Sequence, residues 1–224
     1  VATALKEVRC DEISIPEPEP GLVLVRSKLA SICGSDLHVV YMGWNVHEFP
    51  LPHGFPGHEA VGEVVDGGDT EFSPGESVLT VPNLWSAKAF AGYQLIEPGQ
   101  LLRLPSTVPA SHLLMAQQLG TVVYGCKWLP PLQGQTVVVI GQGSVGLFHD
   151  FMLRRLGARR IIAIEPIPER LSAGRDIGVD EAINASGDRA TEAVMDLTSG
   201  DGADVVIEAV GSVETLNQAL KLVR

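Results

Sequence analysis

The sequence predicts an α/β chain in two parts: an irregular β-rich segment followed by a doubly wound segment with a parallel sheet. Three observations carry this reading. Short β-rich runs punctuated by Pro and Gly dominate up to about residue 110. Beyond it, apolar runs alternate with stretches of helical periodicity. The first of those runs, Val137-Val138-Val139-Ile140, leads directly into Gly141-Gln142-Gly143-Ser144-Val145-Gly146, a strand entering a glycine-rich turn.

In the first part the expected strands lie over Leu22 to Val25, Ala60 to Val65, Ser77 to Val81 and Gly92 to Ile96. Turn signals separate them, notably Pro16-Glu17-Pro18-Glu19-Pro20-Gly21 and Ser73-Pro74-Gly75-Glu76. A helix begins near Ser111, with Leu114 or Met115, Leu119, Val122 and Cys126 on its apolar face, and Pro130-Pro131 stops it. The second part reads as strand 136–140, helix 144–156, strand 160–164, helix 167–177, strand 181–183, helix 188–199, strand 204–208 and helix 212–222. Such a series makes a parallel sheet with right-handed crossovers, its four strands in the order 3-2-1-4. With strands 5 and 6 missing, Val205-Val206-Ile207 is left at an edge. The expectation is a C-terminally incomplete sheet, with a four-stranded minimal domain as the alternative. The domains are expected at 1–112 and 113–224.

Composition narrows the function. The chain has 224 residues, 45% of them hydrophobic, and a formal charge of −11. An acidic chain lacks the basic patches that nucleic acid or an anionic membrane surface requires, and no apolar run is long enough to span a bilayer. Neither nucleic acid nor membrane is therefore expected as a partner. The three widely spaced cysteines do not form a disulfide framework, which points to a reducing compartment, the cytoplasm.

Two strings carry the chemistry. Cys33-Gly34-Ser35-Asp36-Leu37-His38 offers a thiolate, a hydroxyl, a carboxylate and an imidazole within one turn or loop, and Gly57-His58-Glu59 adds a second imidazole with a carboxylate beside it. A catalytic zinc takes three protein ligands and keeps one open position, and a set containing Cys and His suits it. In the glycine-rich turn, Gly141 makes the tight turn, Gly143 lets a pyrophosphate approach the backbone, and Gly146 lets helix and strand pack closely. Ser144 and Val145 open the helix, and Glu165 ends the next apolar run, roughly 20 residues on, where an acid meets ribose hydroxyls. Arg170, one turn later, is the residue type that holds a 2′-phosphate instead. A metal half-site followed by a dinucleotide fingerprint points to hydride transfer. Ala209 and Val210, just past the strand ending at Glu208, border the switch point where a nicotinamide would lie.

These residues resemble the zinc-dependent medium-chain alcohol and polyol dehydrogenases along essentially the whole chain. The motifs are Cys33 to His38, Gly57-His58-Glu59-Ala60-Val61-Gly62-Glu63-Val64, Pro74-Gly75-Glu76-Ser77-Val78, Gly141 to Leu147, and Ala203-Asp204-Val205-Val206-Ile207-Glu208-Ala209-Val210-Gly211. The resemblance implies a GroES-like catalytic domain followed by a partial Rossmann domain. It implies one catalytic zinc on Cys33 and His58, with Asp36 orienting His58; Glu165, which would repel a 2′-phosphate, makes NAD the expected cofactor over NADP. It further implies a proton relay that starts at Ser35, runs through the nicotinamide ribose and has His38 at its outer end, a small-molecule alcohol or carbonyl substrate, and a homo-oligomeric parent protein. Glu59 lies against the metal, as support or as ligand.

Two departures stand out. Val81 to Gly92 contains no cysteine, so the structural zinc of many relatives is not expected. The family's third ligand sits on the linking helix, where this chain has Gln117-Gln118-Leu119-Gly120; Gln117 is either a weaker ligand or part of a polar stripe with Thr121 and Gly125. Two other functions stay open: a zinc-free NADPH-dependent reductase of the quinone-reductase type, and a non-catalytic dinucleotide-binding fragment. Cys10 and Cys126 read as core or strand residues, and His47, His53, His112 and His149 as loop or surface residues. Trp44, Phe55 and Trp85 are loop aromatics that line a pocket or plug a core.

Overall fold

A computed structural model describes all 224 residues, which form two compact units, Val1–Gln117 and Gln118–Arg224. The first opens with a hairpin of β1 (Ala2–Ala4) and β2 (Glu7–Val8), continues with β3 (Val23–Ala30), and reaches helix α1 (Gly34–Met42). Strands β4 (Ala60–Asp66), β5 (Ser77–Thr80), β6 (Tyr93–Ile96) and β7 (Leu101–Arg103) follow, then helix α2 (Ala110–Leu114). The five strands β3 to β7 form an antiparallel sheet in the order β6-β3-β4-β5-β7. Side chains alternate across it. Val23, Val25, Val64, Val78 and Ile96 close one core with Phe72 and Leu101, while Val61 and Leu79 pack against Leu114 of α2.

The expected single helix from Ser111 is two helices. Met115 ends α2, and α3 (Ala116–Cys126) runs on into the second unit. Its buried face is Gln118, Val122 and Cys126, with Leu119 only half-buried.

The second unit realises the expected alternation: β8 (Thr136–Ile140), α4 (Ser144–Arg155), β9 (Arg160–Ile164), α5 (Pro168–Ile177), β10 (Glu181–Ile183), α6 (Gly187–Leu197), β11 (Val205–Glu208) and α7 (Val213–Leu222). All pairings are parallel and the order is β10-β9-β8-β11, which in order of appearance is 3-2-1-4. Every residue of β8 is buried, as befits a strand covered on both faces. Val138, Ile140, Ile162 and Ile164 pack with Ala190 and Val194 of α6 and Ala219 and Leu222 of α7. Val137, Val139, Ile161, Val205 and Ile207 pack with Leu153 of α4 on the other face. Each large aliphatic side chain buried this way contributes about 2 kcal/mol.

Helix α4 also buries a carboxyl. Asp150 is 1% exposed, and neither of its oxygens has a hydrogen bond of normal geometry. Burial raises its pKa to about 7, partly offset by the Gln142 amide. An acid whose pKa is raised by folding holds its proton longer in the native state, so stability falls as pH climbs from the ordinary carboxylate range through about 7. Asp150→Asn is therefore expected to raise the melting temperature clearly at pH 8 and little at pH 5. Thermal melts of both proteins at the two pH values check this; equal shifts at both would contradict it.

Candidate functional site

The antiparallel register of β3 on β4 brings the two chemical strings together. Ala30 pairs with Ala60, and the next rung joins the amide of Ser31 to the carbonyl of Glu59 at 3.1 Å. Cys33 leaves β3 two residues later, and His58 precedes Glu59, so both arrive at the same end of the strand pair. The segment after Cys33 is a helix rather than a simple turn. Asp36, in its first turn, accepts the Cys33 amide at 2.7 Å, and Gly43 ends it in the left-handed conformation (φ 68°).

Cys33, His58 and Glu59 each present one donor atom, and the three lie within 4.8 Å of one another. His58 Nδ1 stands 3.2 Å from Asp36 Oδ1 and 3.3 Å from the carbonyl of Pro56. These acceptors favour the proton on Nδ1 and leave Nε2 free to coordinate; Nε2 is 3.7 Å from Glu59 Oε1. Zinc bonds of about 2.0–2.3 Å place tetrahedral ligands roughly 3.5 Å apart, so the three atoms need close by no more than about 1.3 Å. A soft thiolate, an imidazole and a carboxylate are also the donor chemistry zinc takes. The residues fit the ion. Glu59 is 1% exposed and Asp36 3%, so the two carboxylates are fixed by their surroundings.

The protonation of the pair follows from its contacts. A hydrogen bond from His58 lowers the Cys33 thiol; burial opposes it, and the Ser35 hydroxyl and amide reinforce it. Burial works against a charged His58, yet Asp36 and Cys33 outweigh it and raise the imidazole to about 10. The two shifts run toward a charged pair, and a metal taking both atoms would displace the proton between them.

In the second unit a cleft of about 560 Å³ opens at the carboxyl ends of the strands. Gly141, Gly143, Glu165, Arg170, Ala209 and Val210 line it. Gly141 turns the chain at φ 94°. No atom lies within 4 Å of where a Cβ on Gly143 would stand, so that backbone borders open space. At Gly146 a Cβ would sit 2.0 Å from the Gly141 carbonyl oxygen, so helix and strand meet there with no room for a side chain. The cradle therefore suits a dinucleotide pyrophosphate.

Several sequence-based expectations need adjustment. Ser144, Val145 and Gly146 shape the turn without lining the cleft, whereas Ser186, Gly187, Thr215 and Gln218 do line it. The signal for Ser186-Gly187 was a small-residue step after β10. Glu165 is only 4% exposed: its Oε2 accepts the Gln142 amide at 2.9 Å and its Oε1 the Ile167 amide at 3.0 Å, so it ties the glycine-rich turn to the end of β9. Ser35 and His38 are half-buried, one helical turn apart on α1. Gln117 is half-buried at the second position of α3, closing the first unit. His149 is half-buried in α4, its Nδ1 2.9 Å from the Val145 carbonyl, rather than in a loop, and Cys10 is exposed rather than in a core. Phe55 is buried with Val39, Val40 and Leu51, and its ring lies 6.3 Å from Trp85, which packs 5.5 Å from Trp44.

Two family models match. "Alcohol dehydrogenase GroES-like domain" covers residues 19–105 and "Zinc-binding dehydrogenase" covers 144–224. The chain is 28% identical to an L-threonine 3-dehydrogenase of Pyrococcus horikoshii over 95% of its own length and 68% of the relative's. It is 32% identical to an NADP-dependent isopropanol dehydrogenase of Clostridium beijerinckii, covering 90% of this chain and 66% of that one. An alcohol dehydrogenase from Thermus sp. ATN1 superposes with a TM-score of 0.83 at 29% identity, over 99% of this chain and 73% of that one. The class is thus an oxidoreductase of the dehydrogenase type. The chain belongs to the zinc-dependent medium-chain alcohol and polyol dehydrogenase family.

The close approach at Gly146 yields a stability prediction. Gly146→Ala forces a methyl group against a backbone carbonyl and is expected to cost about 1–3 kcal/mol, a fall of several degrees in melting temperature. Gly143→Ala, which meets nothing, is expected to melt like the parent. Equal melting of all three proteins would show the turn to be looser than described.

Proposed function

We propose that this protein catalyses the oxidation of a small-molecule alcohol or polyol and the reverse reduction of the carbonyl, with zinc held by Cys33, His58 and Glu59 and NAD in the cleft of the second unit. The observation that carries it is the convergence of a thiol, an imidazole nitrogen and a buried carboxylate within 4.8 Å, with Asp36 behind the imidazole. When bound, zinc supplies Lewis acidity toward an alcohol oxygen, and the dinucleotide supplies a hydride acceptor.

The chain's own residues do the rest. Cys33 supplies the negative charge that retains the ion, and Asp36 keeps His58 in the tautomer whose Nε2 faces it. By the resemblance, Gln117 replaces the third ligand that relatives carry on the linking helix. Its neutral amide is a weaker donor than a carboxylate, so Glu59 takes that place in this reading. Ser35 takes the proton leaving the substrate hydroxyl, and His38, one turn along α1, is the outer end of the relay that the nicotinamide ribose bridges. The resemblance carries homo-oligomeric assembly with it. The three cysteines are free, which fits a cytoplasmic location; no helix is long and apolar enough to cross a membrane.

In the cleft, the Glu165 carboxylate sits beside the place of the ribose, where its charge repels a 2′-phosphate. Arg170 lines the same cleft and works in the opposite direction. Glu165 is fixed by two backbone amides, whereas Arg170 lines the cleft as a longer and more adaptable side chain, so the fixed negative charge decides.

Two outcomes test the proposal. The purified protein is expected to contain one zinc per chain by elemental analysis, and Cys33→Ala to lose it; full retention in that variant would overturn the metal assignment. The enzyme is expected to prefer NAD over NADP by at least about tenfold in kcat/KM, or about 1.4 kcal/mol. A measured preference for NADP would reverse the reading of Glu165.

A further inference from the structure

The ladder that joins the two strings also places a hydroxyl on the buried carboxylate. Ser31 follows β3 directly opposite Glu59, its amide bound to the Glu59 carbonyl at 3.1 Å and its Oγ donating to Glu59 Oε2. The other oxygen, Oε1, is the one turned toward His58 Nε2, at 3.7 Å. Glu59 is 1% exposed, so its carboxylate is cut off from water and its orientation depends on the groups around it. One oxygen is claimed by a backbone-anchored serine and the other faces the metal donors.

We infer that Ser31 is a positioning residue for the metal site: by occupying Glu59 Oε2 it presents Glu59 to the ion through Oε1 alone. This rests on the reading that Cys33, His58 and Glu59 hold zinc, and it adds a residue that the motifs themselves do not contain. The device is economical because the serine's own backbone is a rung of the same ladder. The hydroxyl is thereby fixed with respect to the carboxylate it binds. A carboxylate tied at one oxygen coordinates through the other as a single-point ligand, which preserves a four-coordinate site with one position open. Without the hydroxyl, Glu59 is free to turn away or to offer both oxygens.

The experiment compares the parent protein with Ser31→Ala, Ser31→Thr, Glu59→Gln and the Ser31→Ala/Glu59→Gln double variant. Zinc affinity is read by competition with a chromogenic chelator, and coordination by the visible absorption of the cobalt-substituted proteins. Ser31→Ala is expected to bind zinc at least tenfold more weakly and to change the cobalt spectrum, while Ser31→Thr, which keeps the hydroxyl, restores both. Because Ser31 acts through Glu59, its removal is expected to have no further effect in the Glu59→Gln background. Unchanged affinity and spectrum in Ser31→Ala, or losses that simply add in the double variant, would overturn the inference. A parent protein that takes up no zinc would instead overturn the proposed function, so the two failures are distinct.

Discussion

The first unit's chemistry depends on one carboxylate. Asp36 accepts the Cys33 amide at 2.7 Å and faces His58 Nδ1 at 3.2 Å, so a single side chain joins the start of the helix after Cys33 to the loop that carries His58. Removing it would undo three things together: the first turn of α1, the tautomer of His58, and the charge that raises the imidazole to about 10. A carboxylate buried to 3% exposure is tolerated because both of its tasks are polar contacts in a low-dielectric place. The backbone register of β3 on β4 does the coarse alignment, and Asp36 does the fine one.

The second unit uses the same device in another setting. Glu165 is buried and accepts two backbone amides, one from the glycine-rich turn and one from its own strand end. It shapes the cleft as well as bordering it. In both units a buried carboxylate accepts backbone amides where a strand passes into a helix or turn, and thereby holds that segment still. The organisation of the sites thus comes from charge placed inside the fold, and the hydrophobic layers around β8 and β4 supply the rigidity.

Much of this was legible in the sequence, for physical reasons that differ by region. The parallel sheet was readable because strands covered on both faces must be continuously apolar, as Val137 to Ile140 and Ile161 to Ile164 are. Glu165, Arg170, Ala209 and Val210 were readable as cleft residues too, whereas Thr215 and Gln218 were not, because they reach it from α7 through tertiary packing. Helix α1 was missed because Gly34-Ser35-Asp36 resembles a turn; the Asp36 cap, Gly43 at its end and the burial of Val39 and Val40 stabilise it as a helix. The short strands β1, β2 and β7 have two or three residues each, too few to show alternation. Cys33, His58 and Glu59 were visible as residue types. Their convergence, and the hydroxyl of Ser31 behind Glu59, required the register of two strands that no local pattern encodes.

The most direct test of the account is zinc-edge X-ray absorption on the purified protein. The account predicts a first coordination shell with one sulfur at about 2.3 Å and the remaining ligands nitrogen or oxygen at about 2.0–2.2 Å, four in all. A shell with no sulfur, or with several sulfurs, would contradict the site built on Cys33, His58 and Glu59.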